Sequence, residues 1–157
     1  MKEIIWKKVK VLAFMQNPWF PVDTKKEHVD RYITDQEFHQ RILARSMSGG
    51  RLLQAFGPTM FGKIWWDNVA PAAAVEAAGK TDIDMIHVER IISEVKPGLI
   101  LTFGNLAKDA LEDSIQGDKI PRLHCHHPNA RHKTMADLGQ FGVEVSAWLE
   151  ERHMEAV

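Results

Sequence analysis

Two rhythms of apolar and polar positions run through the chain. Short, nearly continuous apolar runs lie at 9–14, 63–69 and 99–103, each bounded by polar or turn-forming residues. Such runs predict buried strands. The segment Leu99-Ile100-Leu101-Thr102-Phe103 in particular reads as a strand covered on both faces of a parallel sheet. A fourth strand is predicted near 120–125. Between these runs the apolar spacing is helical. A long helix is expected over 27–45, broken by Ser46-Met47-Ser48-Gly49-Gly50, with a second, short helix over 51–56 closed by Gly57-Pro58. Residues 71–79 are Ala-rich and read as irregular chain or a helical turn. Thr81 with Asp84 resembles a capping box, after which Met85, Val88, Ile92 and Val95 recur at helical spacing until Pro97-Gly98. Gly104-Asn105 opens another helix to about residue 112. A C-terminal helix starts near Thr134, with Leu138, Phe141, Val145 and Trp148 on one face. Strands alternating with helices predict a single three-layer α/β/α domain over 1–157, built on a mainly parallel four-stranded sheet.

Composition narrows the function classes. A chain of 157 residues is expected to bury about two-thirds of its unfolded surface, so it needs no metal or disulfide staple. Its 20 Lys+Arg balance 21 Asp+Glu, which excludes a disordered acidic tail and a globally basic DNA wrapper. The single cysteine, Cys125, excludes an intrachain disulfide, an all-cysteine zinc site and an iron–sulfur cluster. No apolar run approaches membrane-spanning length, and the piece at 11–15 is shorter than a signal-peptide core. The cytoplasm is the expected compartment. Near-neutral charge still allows a local basic patch for phosphate.

In open α/β sheets, ligands bind beyond the carboxyl ends of the strands. Those ends carry Gln16-Asn17-Pro18-Trp19, Asp67-Asn68, Gly104-Asn105 and His126-His127-Pro128-Asn129. Four of the eight histidines fall within 124–132, joined by Arg131 and Lys133. One reading is a loop that contacts phosphate and reads a base, with Arg131 at or inside the DNA. A second is a metal-dependent hydrolase, since His124 and His126 share one side of a continuing strand, although no third-ligand spacing accompanies them. A third is a solvated polar loop. Asn17 before Pro also fits a plain turn residue, and Asn68 a group that satisfies backbone at a strand end. Ser46 and Ser48 lack a nucleophile-elbow context, and Gly62-Lys63 lacks the Ser/Thr of a phosphate loop.

The ordered set of segments resembles the uracil-DNA glycosylase superfamily. Met15-Gln16-Asn17-Pro18-Trp19 is similar to its first motif, and His127-Pro128-Asn129-Ala130-Arg131 to its His-Pro-Ser type second motif. Ile64-Trp65-Trp66-Asp67-Asn68-Val69 resembles the strand whose terminal Asn reads the base edge. Residues 99–111 resemble the family's strand–Gly–helix segment, and Gly49-Gly50-Arg51-Leu52-Leu53 its Gly-rich helix start.

The resemblance implies hydrolysis of the N-glycosidic bond of uracil or a mismatched pyrimidine in DNA, with the base flipped out of the stack and no cofactor. It implies Asn17 and His127 as the catalytic pair: Asn17 orienting water, His127 donating to the oxygen where charge collects. It assigns Gln16, Trp19 and Asn68 to the base, and Asn129, Arg131, His132 and Lys133 to the DNA. No metal is implied. Three positions depart from the pattern. Met15 stands for the usual Gly, Asn129 for the usual Ser, and Arg45-Ser46-Met47 where a base-stacking aromatic belongs. These departures motivate the alternative of a non-catalytic nucleic-acid or nucleotide-binding protein of the same fold.

Overall fold

The computed structural model describes residues 3–16, 25–71, 83–130 and 133–157. Its strands are β1 (Lys7–Val9), β2 (Val11–Met15), β3 (Ile64–Asn68), β4 (Leu99–Phe103), β5 (Arg122–Cys125) and β6 (Met154–Ala156). The helices are α1 (Lys26–Thr34), α2 (Gln36–Arg45), α3 (Met47–Phe56), α4 (Pro58–Lys63), α5 (Met85–Val95), α6 (Asn105–Asp113) and α7 (Met135–Glu151). Four strands form a wholly parallel sheet in the order β3-β2-β4-β5. Its central strands β2 and β4 are buried at every position. That burial accounts for their unbroken apolar runs, since both faces are covered by helices.

Alternation along the strands sorts the core into two layers. On one face Val11, Ala13 and Met15 of β2 join Leu99, Leu101 and Phe103 of β4, beneath Leu43 of α2, Leu52 of α3, Phe61 of α4, and Leu138 and Phe141 of α7. On the other face Leu12, Phe14 and Ile100 meet Val88, Ile91, Ile92 and Val95 of α5 and Ala107, Ala110 and Leu111 of α6. The architecture is therefore a three-layer α/β/α domain.

Several boundaries differ from the sequence reading, each for a local reason. The helix expected over 27–45 is two helices, because Asp35 is extended (φ −113°, ψ 105°) and its carboxylate accepts from Phe38 N–H, capping α2. The Ser46–Gly50 stretch does not interrupt helix up to residue 51. Ser46 itself is the cap, accepting from Gly49 N–H at 2.9 Å, so α3 begins at Met47. Gly57-Pro58 ends α3 and also starts α4, with Pro58 in the first turn, where its missing N–H costs nothing. Asp84 alone caps α5 through His87 N–H, Thr81 lying outside the described residues, as does the 71–79 stretch beyond Pro71.

The fourth strand starts at Arg122, after a 3₁₀ turn at Gly117–Lys119. The parallel pair β1–β6 has no precursor in the sequence reading.

The outer edge of β3 is sealed by side chains. Gln36 accepts from Trp66 N–H at 2.7 Å and donates to Trp66 O at 3.0 Å, reproducing the pairing of a neighbouring strand, while Gln40 donates to Ile64 O at 2.9 Å.

Candidate functional site

Register places one residue of each sheet strand in a row at the carboxyl edge. Met15 is level with Asn68, and Phe103 with Cys125, while Phe14 pairs with Thr102 one step earlier. Beyond this row the chain leaves the sheet as Gln16, Val69, Gly104 and His126. Backbone pairing persists one step further, with Val69 N–H donating to Met15 O, Ala70 N–H to Gln16 O and Gly104 N–H to Cys125 O, all at 2.9 Å. The loops that carry the candidate chemistry therefore leave from a rigid platform.

Of the residues singled out in the sequence, Gln16, Asn68, His127, Asn129 and Lys133 are described, and Asn17, Trp19, Arg131 and His132 lie outside the described residues. Gln16 is half-buried, and its carbonyl takes the Ala70 N–H. Asn68 ends β3 and is 4% exposed. Asn129 and Lys133 are exposed, Lys133 just before α7.

The loop after β5 is held from several sides. Arg51 of α3 donates to Pro128 O at 2.9 Å, and the Asn129 amide donates to Ser48 Oγ at 2.7 Å. The His127 carbonyl accepts from Ala130 N–H at 2.9 Å and from His126 Nδ1 at 2.8 Å. His127 itself packs beside Gly104, which adopts φ 89°, ψ 161°, a region essentially restricted to glycine. The Asn129 backbone N–H donates to His127 Nδ1 at 3.1 Å. With Nδ1 an acceptor, the proton of the neutral ring sits on Nε2. Burial, and then the neighbouring His126, hold the His127 pKa below the usual histidine value, which keeps that neutral form.

Asn68 and His127 leave opposite edge strands. Three strand spacings separate them, about 14 Å of backbone. His127 leans inward beside Gly104 of the β4–α6 turn, which narrows the gap.

A buried polar cluster behind Asn68 has no counterpart among the residues chosen from the sequence. Asp67 Oδ1 accepts from Asn68 N–H and from His87 Nε2–H, both at 2.8 Å, and Arg90 donates to His87 Nδ1 at 3.0 Å. Asp67 and His87 are both buried. From α1, the buried Tyr32 stacks on His39 at 4.0 Å. The sequence signals were a carboxylate inside an apolar strand and a histidine on the apolar face of α5. Each demands a buried partner.

His124 and His126, the residues of the metal reading, bond through Nδ1 to Thr102 Oγ1 and to the His127 carbonyl respectively. Among the described residues no group of three His, Cys, Asp or Glu side chains is placed to hold a metal ion. Nor, among them, is any helix long and apolar enough to cross a membrane. Set against protein-family models and against curated proteins, the chain matches none.

Proposed function

We propose that the chain is a uracil-DNA glycosylase-like enzyme that excises uracil or a mismatched pyrimidine from DNA. The observation that carries the reading is the fixed neutral tautomer of His127 at the same sheet edge as the buried amide of Asn68. Breaking the N-glycosidic bond leaves negative charge on the departing base, and a neutral N–H donor aimed at its oxygen stabilises that charge. An imidazole held by a backbone N–H donates from Nε2 without first shedding a proton. Asn68 supplies one acceptor and two donors, the pattern needed to read a pyrimidine edge. In this reading Asn17 orients the attacking water and Trp19 walls the pocket. Arg131, His132, Lys133 and Asn129 meet the phosphates, and the cytoplasm is the compartment.

The test is base release from oligonucleotides carrying uracil or a mismatched pyrimidine. Loss of one positioned donor or water-orienting group is expected to slow release by about 10²–10³-fold, so Asn17→Ala and His127→Ala should each do so. Activity surviving both substitutions removes the mechanism.

A second reading, a non-catalytic nucleic-acid or nucleotide-binding protein, is favoured by one observation. Where the superfamily's stacking aromatic belongs, the Ser46 hydroxyl is committed to capping α3 and Met47 is exposed. Salt-sensitive DNA binding without base release is the outcome that would select it.

A further inference from the structure

The sheet has a second end. At its amino-terminal edge, where Pro97-Gly98 leads into β4 and Ile120-Pro121 into β5, a cleft of about 460 Å³ opens between the end of α5 and the α6–β5 connection. Its lining divides by chemistry. Ile92 and Pro97 are buried at its base, Ile120 is half-buried, and Ile115 stands at the rim, 77% exposed. Lys96 and Lys119, both exposed, supply the charge, and among the described residues no carboxylate lines the cleft. Nor, among those residues, does either ammonium pair with a carboxylate elsewhere. An apolar trough flanked by two unneutralised cations complements a ligand that carries an apolar side chain between carboxylates.

The rim is built, not loose. Glu89 of α5 grips the connection. Its carboxylate accepts from the Ser114 hydroxyl and, at 2.9 Å, from the Gln116 side-chain amide, which also donates to the Glu89 carbonyl at 2.9 Å. Ser114 is 1% exposed, and its oxygen takes the Gly117 N–H at 2.9 Å. Ile115 is thus held in water by a clasp on the residues either side of it. Exposing a large apolar side chain on a fixed loop wastes its burial energy in the free protein, whereas a partner that covers it meets little ordering cost.

We propose that this cleft docks a short acidic peptide segment of another protein. One apolar side chain of that segment enters between Ile92, Ile115 and Ile120, and carboxylates on either side of it meet Lys96 and Lys119. The cleft lies at the opposite end of the strands from Asn68 and His127, so the peptide does not compete with whatever occupies the carboxyl edge. The inference therefore stands apart from the glycosylase reading.

The test is isoleucine-methyl NMR on the full chain, titrated with the end-capped peptide Asp-Asp-Leu-Phe-Asp-Asp. The expected result is saturable shifts at Ile92, Ile115 and Ile120, with Ile64 in the opposite core layer unmoved. Affinity should fall about tenfold when Lys96→Glu and Lys119→Glu are combined, and it should weaken as salt is raised. Both lysines are exposed, so the double variant should melt within a few degrees of the parent. The parent supplies an independent comparison, since the same peptide with Asn for every Asp should bind it about tenfold more weakly. Three outcomes overturn the proposal: no shift at millimolar peptide, equal binding of the neutral peptide, or shifts that survive the double substitution. Shifts at the three isoleucines that grow with protein concentration in the absence of peptide also overturn it, because a second copy of the chain would then be the occupant.

Discussion

Which nitrogen of His127 carries a proton, and down to what pH, decides what that side chain can do. Its Nδ1 receives the Asn129 N–H, and burial, followed by His126, resists a second proton. A titration followed by NMR should therefore show the His127 ring converting to imidazolium only below the free-histidine value of about 6.5. A ring already half-charged at that pH would contradict the assignment. His39 is deeply buried, and burial lowers its pKa as well. The sign follows directly. Below about pH 6.5 the unfolded chain takes up protons that these two folded-state rings refuse, so stability is full above that pH and declines beneath it. One such site accounts for at most about 1.4 kcal/mol per pH unit. Denaturant midpoints that stay flat from pH 7 to pH 5 would refute this.

Among the elements, α3 and α7 show how close packing constrains sequence more tightly than helix propensity does. Gly142 of α7 lies against α3, where a methyl carbon would stand 2.7 Å from the Ala55 carbonyl oxygen. Backbone cannot swing aside as a side-chain tip can. Gly139, one turn earlier, has open space around it. Replacing either glycine by alanine gains up to about 1 kcal/mol of helix propensity. At Gly142 the overpacking, about 1–3 kcal/mol or more, outweighs that gain. Gly139→Ala should raise the thermal midpoint and Gly142→Ala should lower it, a paired outcome readable by calorimetry. If both alanines shift the midpoint the same way, the contact with Ala55 is not the constraint. Gly49 follows the same logic, since a methyl there would collide with the Leu43 carbonyl between α2 and α3, whereas one at Gly50 would make only ordinary contact. In the sequence the Gly49-Gly50 pair looks like a helix breaker. Its first glycine serves instead to let two helices meet.

Across the whole molecule, what was legible in the sequence is what local pattern determines. Continuous apolar runs marked β2 and β4, and the helical stripes of α5 and α7 marked the covering layers. Of the candidate site, the sequence could place Asn68, the last residue of β3, and His127, two residues beyond β5, at the carboxyl edge of the sheet, because strand ends follow from local pattern. The buried cluster behind Asn68 was not legible, because Asp67 of β3 meets His87 and Arg90 of α5 only after the sheet has formed. The β1–β6 pair escaped for a similar reason, being two three-residue strands from distant parts of the chain, half of whose side chains are exposed. The glutamine seal on β3 has a bearing on self-association. Unpaired strand edges template the addition of foreign chains, and here Gln36 and Gln40 already occupy the polar groups that a newcomer to β3 would use. Replacing both glutamines by alanine should open that flank, and light scattering on warming should rise sooner than in the parent. An unaltered onset would mean that any growth of aggregates proceeds from the β5 flank instead.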